Sequence, residues 1–219
     1  MATRTRNTER LSRERIVEAA VELLDTTGED GLTFRALSAH LRTGPGAIYW
    51  HVANKGELLD AATDAVLTRG MTGEAATGTP QEVIRAIALV LFDAIDEHPW
   101  VGAQLSDGPW RSVTLQICER IGQQIQRLGV PGAEQFMAAS AVMLYILGAA
   151  RQNAANARMN PPGADRAAIL ATQAAAWEGL DPEGFPFLRH VAGQMREHDD
   201  REQFVAGLDL ILVGITGLA

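Results

Sequence analysis

Apolar residues recur at spacings of three and four along nearly the whole chain, and no stretch alternates with a period of two. The expected fold class is therefore all-α. Ser12 is placed to cap a first helix, in which Ile16, Ala20, Leu23 and Leu24 form an apolar stripe that ends near Gly28. The segment GEDG, residues 28 to 31, turns the chain into Thr33, a second N-cap, with Leu32 and Leu37 spaced as a hydrophobic staple. Phe34, Leu37 and Leu41 then share one face, which leaves Arg35, Ser38 and Arg42 outward. Gly44, Pro45 and Gly46 stop that helix and open another, with Pro45 suited to a first position where the missing N–H costs nothing. This third helix has room for about two turns, from Pro45 to Val52. Asn54, with Glu57 three residues on, starts a fourth that runs through Leu58, Leu59, Ala62 and Val66 to about Met71.

Beyond it TGEAATGTP, residues 72 to 80, reads as a loop, and helices follow one another to the end. Ile84, Ile87, Ala88, Leu91, Phe92 and Ile95 make one stripe, stopped by His98 and Pro99. A short segment from Trp100 to Leu105 ends in SDGP, and Trp110 to Leu128 carries Val113, Ile117, Ile121 and Ile125 on one face. GVPG precedes a long helix from Gly132 to about Met159, rich in small and apolar residues that include Phe136, Met137, Ala141, Leu144, Tyr145 and Gly148. After NPPG come helices over Asp165 to Trp177, Phe185 to Glu197 and Asp200 to Leu218. The last is almost wholly apolar after Phe204, and Val205, Leu208, Leu210, Ile211, Leu212 and Ile215 spread over more than one face. Such a helix needs cover. The cover is either the core of a single chain or a second copy.

Composition narrows the classes of function. A hydrophobic fraction of 47% with 21% charged residues describes a soluble globular protein. One cysteine, Cys118, permits no internal disulfide and no cysteine-based metal cluster, so the expected compartment is the cytoplasm. The N-terminus has no apolar signal-like region, and no run reaches the uninterrupted apolar length of a membrane span. A net charge of −8 is poor for a DNA binder, but the acidity is unevenly placed. Residues 1 to 60 hold eight basic and nine acidic groups, whereas residues 61 to 219 hold eleven and eighteen. Arg4, Arg6, Arg10, Arg13 and Arg15 form a basic arm, read either as a phosphate-neutralising segment or as a solubilising tail.

Two short helices joined by a few residues are the helix-turn-helix plan, whose second helix enters the DNA major groove. That plan alone is a weak signal. The run IYWHVANKGELLDA, with Tyr49, Trp50, His51, Asn54 and Lys55, sharpens it. Over about residues 12 to 66 the sequence resembles the tetracycline-repressor-like (TetR) family of transcriptional regulators, and YWHV-x-NK-x-x-LLDA looks like the tetracycline repressor's own subgroup. The tail FVAGLDLILVGI is also similar to that subgroup's last helix. The resemblance implies a helix-turn-helix DNA-binding domain over residues 1–60 and a helical ligand-binding and dimerisation domain over 61–219. It implies a homodimer through a four-helix bundle made of the helix near 133 to 157 and the last one, repeated in both chains. It also implies a repressor released from a palindromic double-stranded DNA operator by a small-molecule effector. The rival is a helical ligand-binding or adaptor protein whose DNA binding is weak or requires ligand.

Residue by residue, Arg35 matches a family position that can reach a guanine edge, where a bidentate guanidinium contact is the commonest specific pairing. Thr33, Tyr49, His51 and Lys55 match positions that grip phosphates and orient the helix without reading sequence. Ile48 is expected in the core, and Trp50 is either a core wedge or a backbone contact. Pro45, Gly46 and Ala47 occupy the reading edge, and none has a polar side chain. They depart from the common family pattern, as does Arg42, which stands where a turn glycine is usual. The small edge favours contact with a thymine methyl and readout of DNA shape. Arg42 is a left-handed turn residue under strain, a phosphate contact, or an ordinary helix C-terminal cation.

Candidates to line the effector cavity are Leu91, Trp100, Leu105, Trp110, Phe136, Met137, Ser140, Met143 and Gln152, mostly apolar with a few orienting groups. Positions where the tetracycline repressor uses polar side chains for drug and magnesium are here Ile87, Leu105 and Gln152, so a different and largely apolar effector is expected. No metal site, cofactor or catalytic residue is expected. The five histidines show no H-x-x-x-H or H-E-x-x-H spacing, and G-x-S-x-G, P-loop and G-x-G-x-x-G patterns do not occur. HDD at 198 to 200 is read as a charged interhelical turn in preference to a metal cluster, and Cys118 as a small hydrophobe in preference to a nucleophile.

Overall fold

A computed structural model describes residues 11–71, 78–106, 112–159 and 165–219. The basic arm as far as Arg10, most of the 72–80 loop, Trp110 and NPPG lie outside the described residues. Within them the chain forms eleven α-helices and no strand: α1 (Arg13–Gly31), α2 (Phe34–Leu41), α3 (Pro45–Tyr49), α4 (Lys55–Met71), α5 (Pro80–Glu97), α6 (Pro99–Ser106), α7 (Ser112–Arg127), α8 (Gly132–Met159), α9 (Arg166–Glu178), α10 (Pro186–Met195) and α11 (Asp200–Thr216). They fall into two compact units, residues 1–124 and 125–219.

In the first unit the caps form where the side chains predict them. Ser12 Oγ accepts from the Arg15 N–H at 3.3 Å, Thr33 Oγ1 from the Ala36 N–H at 3.1 Å, and Asn54 Oδ1 from the Glu57 N–H at 2.9 Å. Thr79 and Glu82 complete a reciprocal capping box at the start of α5. Helix α1 runs three residues past the expected stop because Gly28, at φ 68°, kinks it without ending it. Its core side is wider than the predicted stripe. Val17, Ala19 and Val21 are buried with Ile16, Ala20 and Leu24, while Leu23 is only half-buried. All six predicted stripe residues of α5 are buried, from Ile84 to Ile95. Helix α4 packs against both α1 and α5, and α6 packs against α1, α4 and α5.

In the second unit α8 pairs with α11 and α9 with α10. Phe204, Leu208, Leu212 and Ile215 form the buried stripe of α11, while Leu210 and Val213 on its other side are 76% and 73% exposed. Helix α8 divides the same way. Ala138, Ala139, Val142, Met143, Ile146 and Ala150 turn inward, and Phe136, Met137 and Leu144 outward. One reading from sequence needs correction here. By length and composition the stretch Gly132–Asn156, at mean hydropathy 1.3, is apolar enough to cross a membrane, although only 28% of it is buried. Polar residues interrupt the run, but alanine, leucine and methionine keep its average high. Tyr145 packs on Phe204 and donates its hydroxyl to the Phe204 carbonyl at 2.9 Å; burial pushes its phenol above the ordinary range. His198 and Asp200 pair at 2.9 Å and Arg166 joins Asp200 at 2.9 Å, so HDD forms a charged turn that ties α9 to α11.

Candidate nucleic-acid interface

The helix-turn-helix is built from α2 and α3. The α2 helix ends in a left-handed residue, Arg42 (φ 53°, ψ 45°), the one non-glycine residue with positive φ among those described. Its N–H bonds the Ala39 carbonyl at 3.2 Å and the Thr43 N–H bonds that of Ser38 at 3.0 Å, which closes the helix and reverses the chain. Of the three readings of Arg42, the turn geometry is the one observed. Ser38 is buried, not outward, because its hydroxyl donates to the Phe34 carbonyl at 2.6 Å and needs no solvent.

Helix α3 spans five residues, shorter than the eight expected from 45 to 52. Trp50 caps it, and the N–H groups of His51 and Val52 both fold back on the Ile48 carbonyl, at 2.9 and 3.1 Å. Ile48 and Val52 are fully buried and anchor this turn. The Tyr49 ring stacks parallel on Phe34, centroids 4.4 Å apart, which fixes α3 against α2 with Tyr49 still 55% exposed. Trp50 is 89% exposed. The core-wedge reading of Trp50 is therefore excluded.

Thr33, Arg35, Pro45 and Gly46 are exposed, and Ala47 and His51 half-buried, so the structure gathers these positions around one short helix and its support. Arg35 makes no ion pair among the described residues. Lys55 differs from the simplest expectation, since its ammonium donates to the Glu29 carbonyl at the end of α1, at 2.6 Å. Twenty-six positions separate the two residues, and no spacing rule links them, so sequence reasoning missed this partner. An ammonium has three protons, and one bond leaves it donors for a phosphate.

The candidate effector residues are less united. Leu91 and Leu105 are buried in the first unit, and Trp100 there donates its indole N–H to Asp25 at 2.7 Å. In the second unit Met143 is buried, Ser140 half-buried and Gln152 exposed. Phe136 and Met137 are 70% and 67% exposed, so within one chain they enclose nothing. Ala138, Ala139, Val142, Met143 and Ile146 occupy the inward face of α8 and leave these two outside.

A two-helix reader with an exposed aromatic and cationic rim, joined to further packed helices, is the architecture of a helix-turn-helix transcriptional regulator. Residues 16–62 match the model for bacterial regulatory proteins of the tetR family, and residues 72–218 the tetracyclin repressor-like C-terminal domain. The chain belongs to the TetR family, and it is not an enzyme. It is 30% identical over 213 residues to the class D tetracycline repressor protein of Escherichia coli, covering 94% of this chain and 89% of that one. The structure of SCO7222, a TetR from Streptomyces coelicolor, shares 59% identity at a TM-score of 0.87, covering 95% and 99%. ActR of Streptomyces coelicolor in complex with actinorhodin is 25% identical at a TM-score of 0.77, covering 94% and 96%.

Proposed function

We propose that this chain is a cytoplasmic, dimeric repressor that residues 1–60 hold on a palindromic operator and that a small, largely apolar effector releases through residues 61–219. The observation that carries the reading is the rim of the helix-turn-helix, where Trp50 at 89% and Tyr49 at 55% exposure stand beside an exposed Arg35. Large aromatics gain nothing in water, and their presence there is accounted for by a partner surface. Arg35 reads a base edge. Thr33, Tyr49, Trp50, His51 and Lys55 hold the backbone, and the apolar edge Pro45, Gly46 and Ala47 approaches thymine methyls.

Two copies are needed because α3 spans too few base pairs, and half-sites one helical turn apart lie about 34–36 Å from each other. The exposed apolar faces of α8 and α11, including Leu144, Leu210 and Val213, are the surface a second copy covers. The effector acts by population shift. It favours the state in which the two readers lose register with successive grooves, and only as far as its differential affinity allows.

The test is selection of bound fragments from random duplex DNA by the purified protein at near-physiological salt. An inverted repeat with half-sites one turn apart, its preference relaxed at one base position of each half-site in Arg35→Ala, is the expected result. Recovery of only salt-sensitive random sequence overturns the reading in favour of a helical ligand-binding or adaptor protein.

A further inference from the structure

Helix α1 ends in a cluster of polar contacts in which only Lys55 belongs to the DNA-binding surface. Asp25 Oδ1 accepts from the Trp100 indole N–H at 2.7 Å and pairs with His98 Nδ1 at 2.8 Å. Beyond the Gly28 kink Glu29 is bound at both ends. Its carboxylate accepts from the Gln104 amide at 3.0 Å, and its carbonyl accepts from the Lys55 ammonium at 2.6 Å. Trp100 and Gln104 are themselves 7% and 5% exposed, so water reaches their two bonds only from the side of the exposed Asp25 and Glu29. Three side chains from residues 98 to 104 thus hold two carboxylates of α1. Four residues after Glu29 the chain reaches Thr33, the cap of α2.

We infer that Asp25 and Glu29 are positioning residues through which α6 sets the DNA-binding helices. His98 and Trp100 fix the last regular turn of α1. Gln104, through Glu29, fixes the carbonyl that orients Lys55. The inference rests on the DNA-binding reading and adds to it a route through α1. None of these five side chains needs to touch DNA. Their loss leaves every phosphate contact available and removes only its placement.

The two roles separate by salt dependence. Removing a phosphate contact lowers the slope of log K against log salt by about one, whereas misplacing the reader lowers affinity with the slope unchanged. In the full-length protein, Trp100→Phe deletes one N–H and keeps a ring, and Gln104→Met deletes the amide at similar volume. Fluorescence anisotropy on the duplex recovered by selection is expected to show each binding about fivefold or more weaker, at unchanged slope and with cooperative thermal unfolding retained. Asp25→Ala with Trp100→Phe is expected to bind no worse than Asp25→Ala alone, because both cut the same bond. Affinities within twofold of the parent, additive losses, or a slope reduced as in Lys55→Ala overturn the inference.

If the parent protein selects no duplex, the DNA-binding reading falls and amide hydrogen exchange still decides the cluster. Faster exchange over residues 33–52 in Trp100→Phe/Gln104→Met, with α5 unchanged, upholds a positioning role. Equal exchange overturns it.

Discussion

Replacing Arg42 with glycine should stabilise the protein. At φ 53° and ψ 45° the Cβ of Arg42 crowds its own backbone, and an L-residue in this region costs about 1–2 kcal/mol. Glycine avoids that cost but loses more chain entropy on folding, about 0.5–1 kcal/mol. The guanidinium is exposed on a groove it shares with Arg15, Glu18, Glu22 and His40, where screened charge pairs contribute about 0–1 kcal/mol. Backbone relief therefore wins by a small margin, and a chain of this length gains about 1–3 °C in melting temperature. Arg42→Ala isolates the backbone, since it loses the guanidinium and keeps the strain. Glycine should melt above alanine by several degrees in calorimetry at fixed protein concentration. Alanine as stable as glycine would show that the strain in the left-handed turn does not exceed glycine's entropy cost and refute the reasoning. The same pair on operator DNA tells whether the arginine also grips a phosphate: a salt slope lowered equally in both variants says that it does.

Lys55→Ala should weaken binding across all DNA sequences and lower the salt slope by about one, whereas Arg35→Ala should relax preference at one base position; titrations at several salt concentrations check both. Val213→Glu, on the exposed face of α11, should convert a two-chain species to a single chain in sedimentation, with helix content retained. Gly207→Ala should destabilise by about 1–3 kcal/mol, because the new Cβ would lie 2.2 Å from the Tyr145 hydroxyl and 2.8 Å from its ring; chemical denaturation measures the loss. Hydrogen bonds from the Thr79 backbone and then its hydroxyl hold the Glu82 carboxyl below its ordinary range. The stabilisation is thus present above the unfolded value, about 4.3, and lost as pH falls through the lower folded value, and Glu82→Gln should flatten that part of the acid-melting profile.

Much of the fold was legible because its signals are local. Ser12, Thr33 and Asn54 act within their own first turn, and the stripes of α5 and α7 need only the helical period, whereas the Thr79 cap lies inside a stretch that reads as a loop. The reader was legible as a motif, but not its length, since α3 stops where two N–H groups compete for the Ile48 carbonyl. Ser38 misled because a serine that bonds its own helix can be buried. Phe136 and Met137 misled for a different reason: apolar residues mark a surface that wants cover, and sequence does not say whether the same chain supplies it. Asp25, Glu29, His98 and Gln104 left no signal, because their pairing spans more than seventy residues.

The outward apolar face of α8 and α11 makes the fold answer to quantity as well as to sequence. On the dimeric reading proposed above, a surface that one protomer leaves in water is covered by mass action, so dilution should act as a denaturant and melting temperature should rise with protein concentration. Copy number would then bear on the folded fraction of the regulator as well as on its amount.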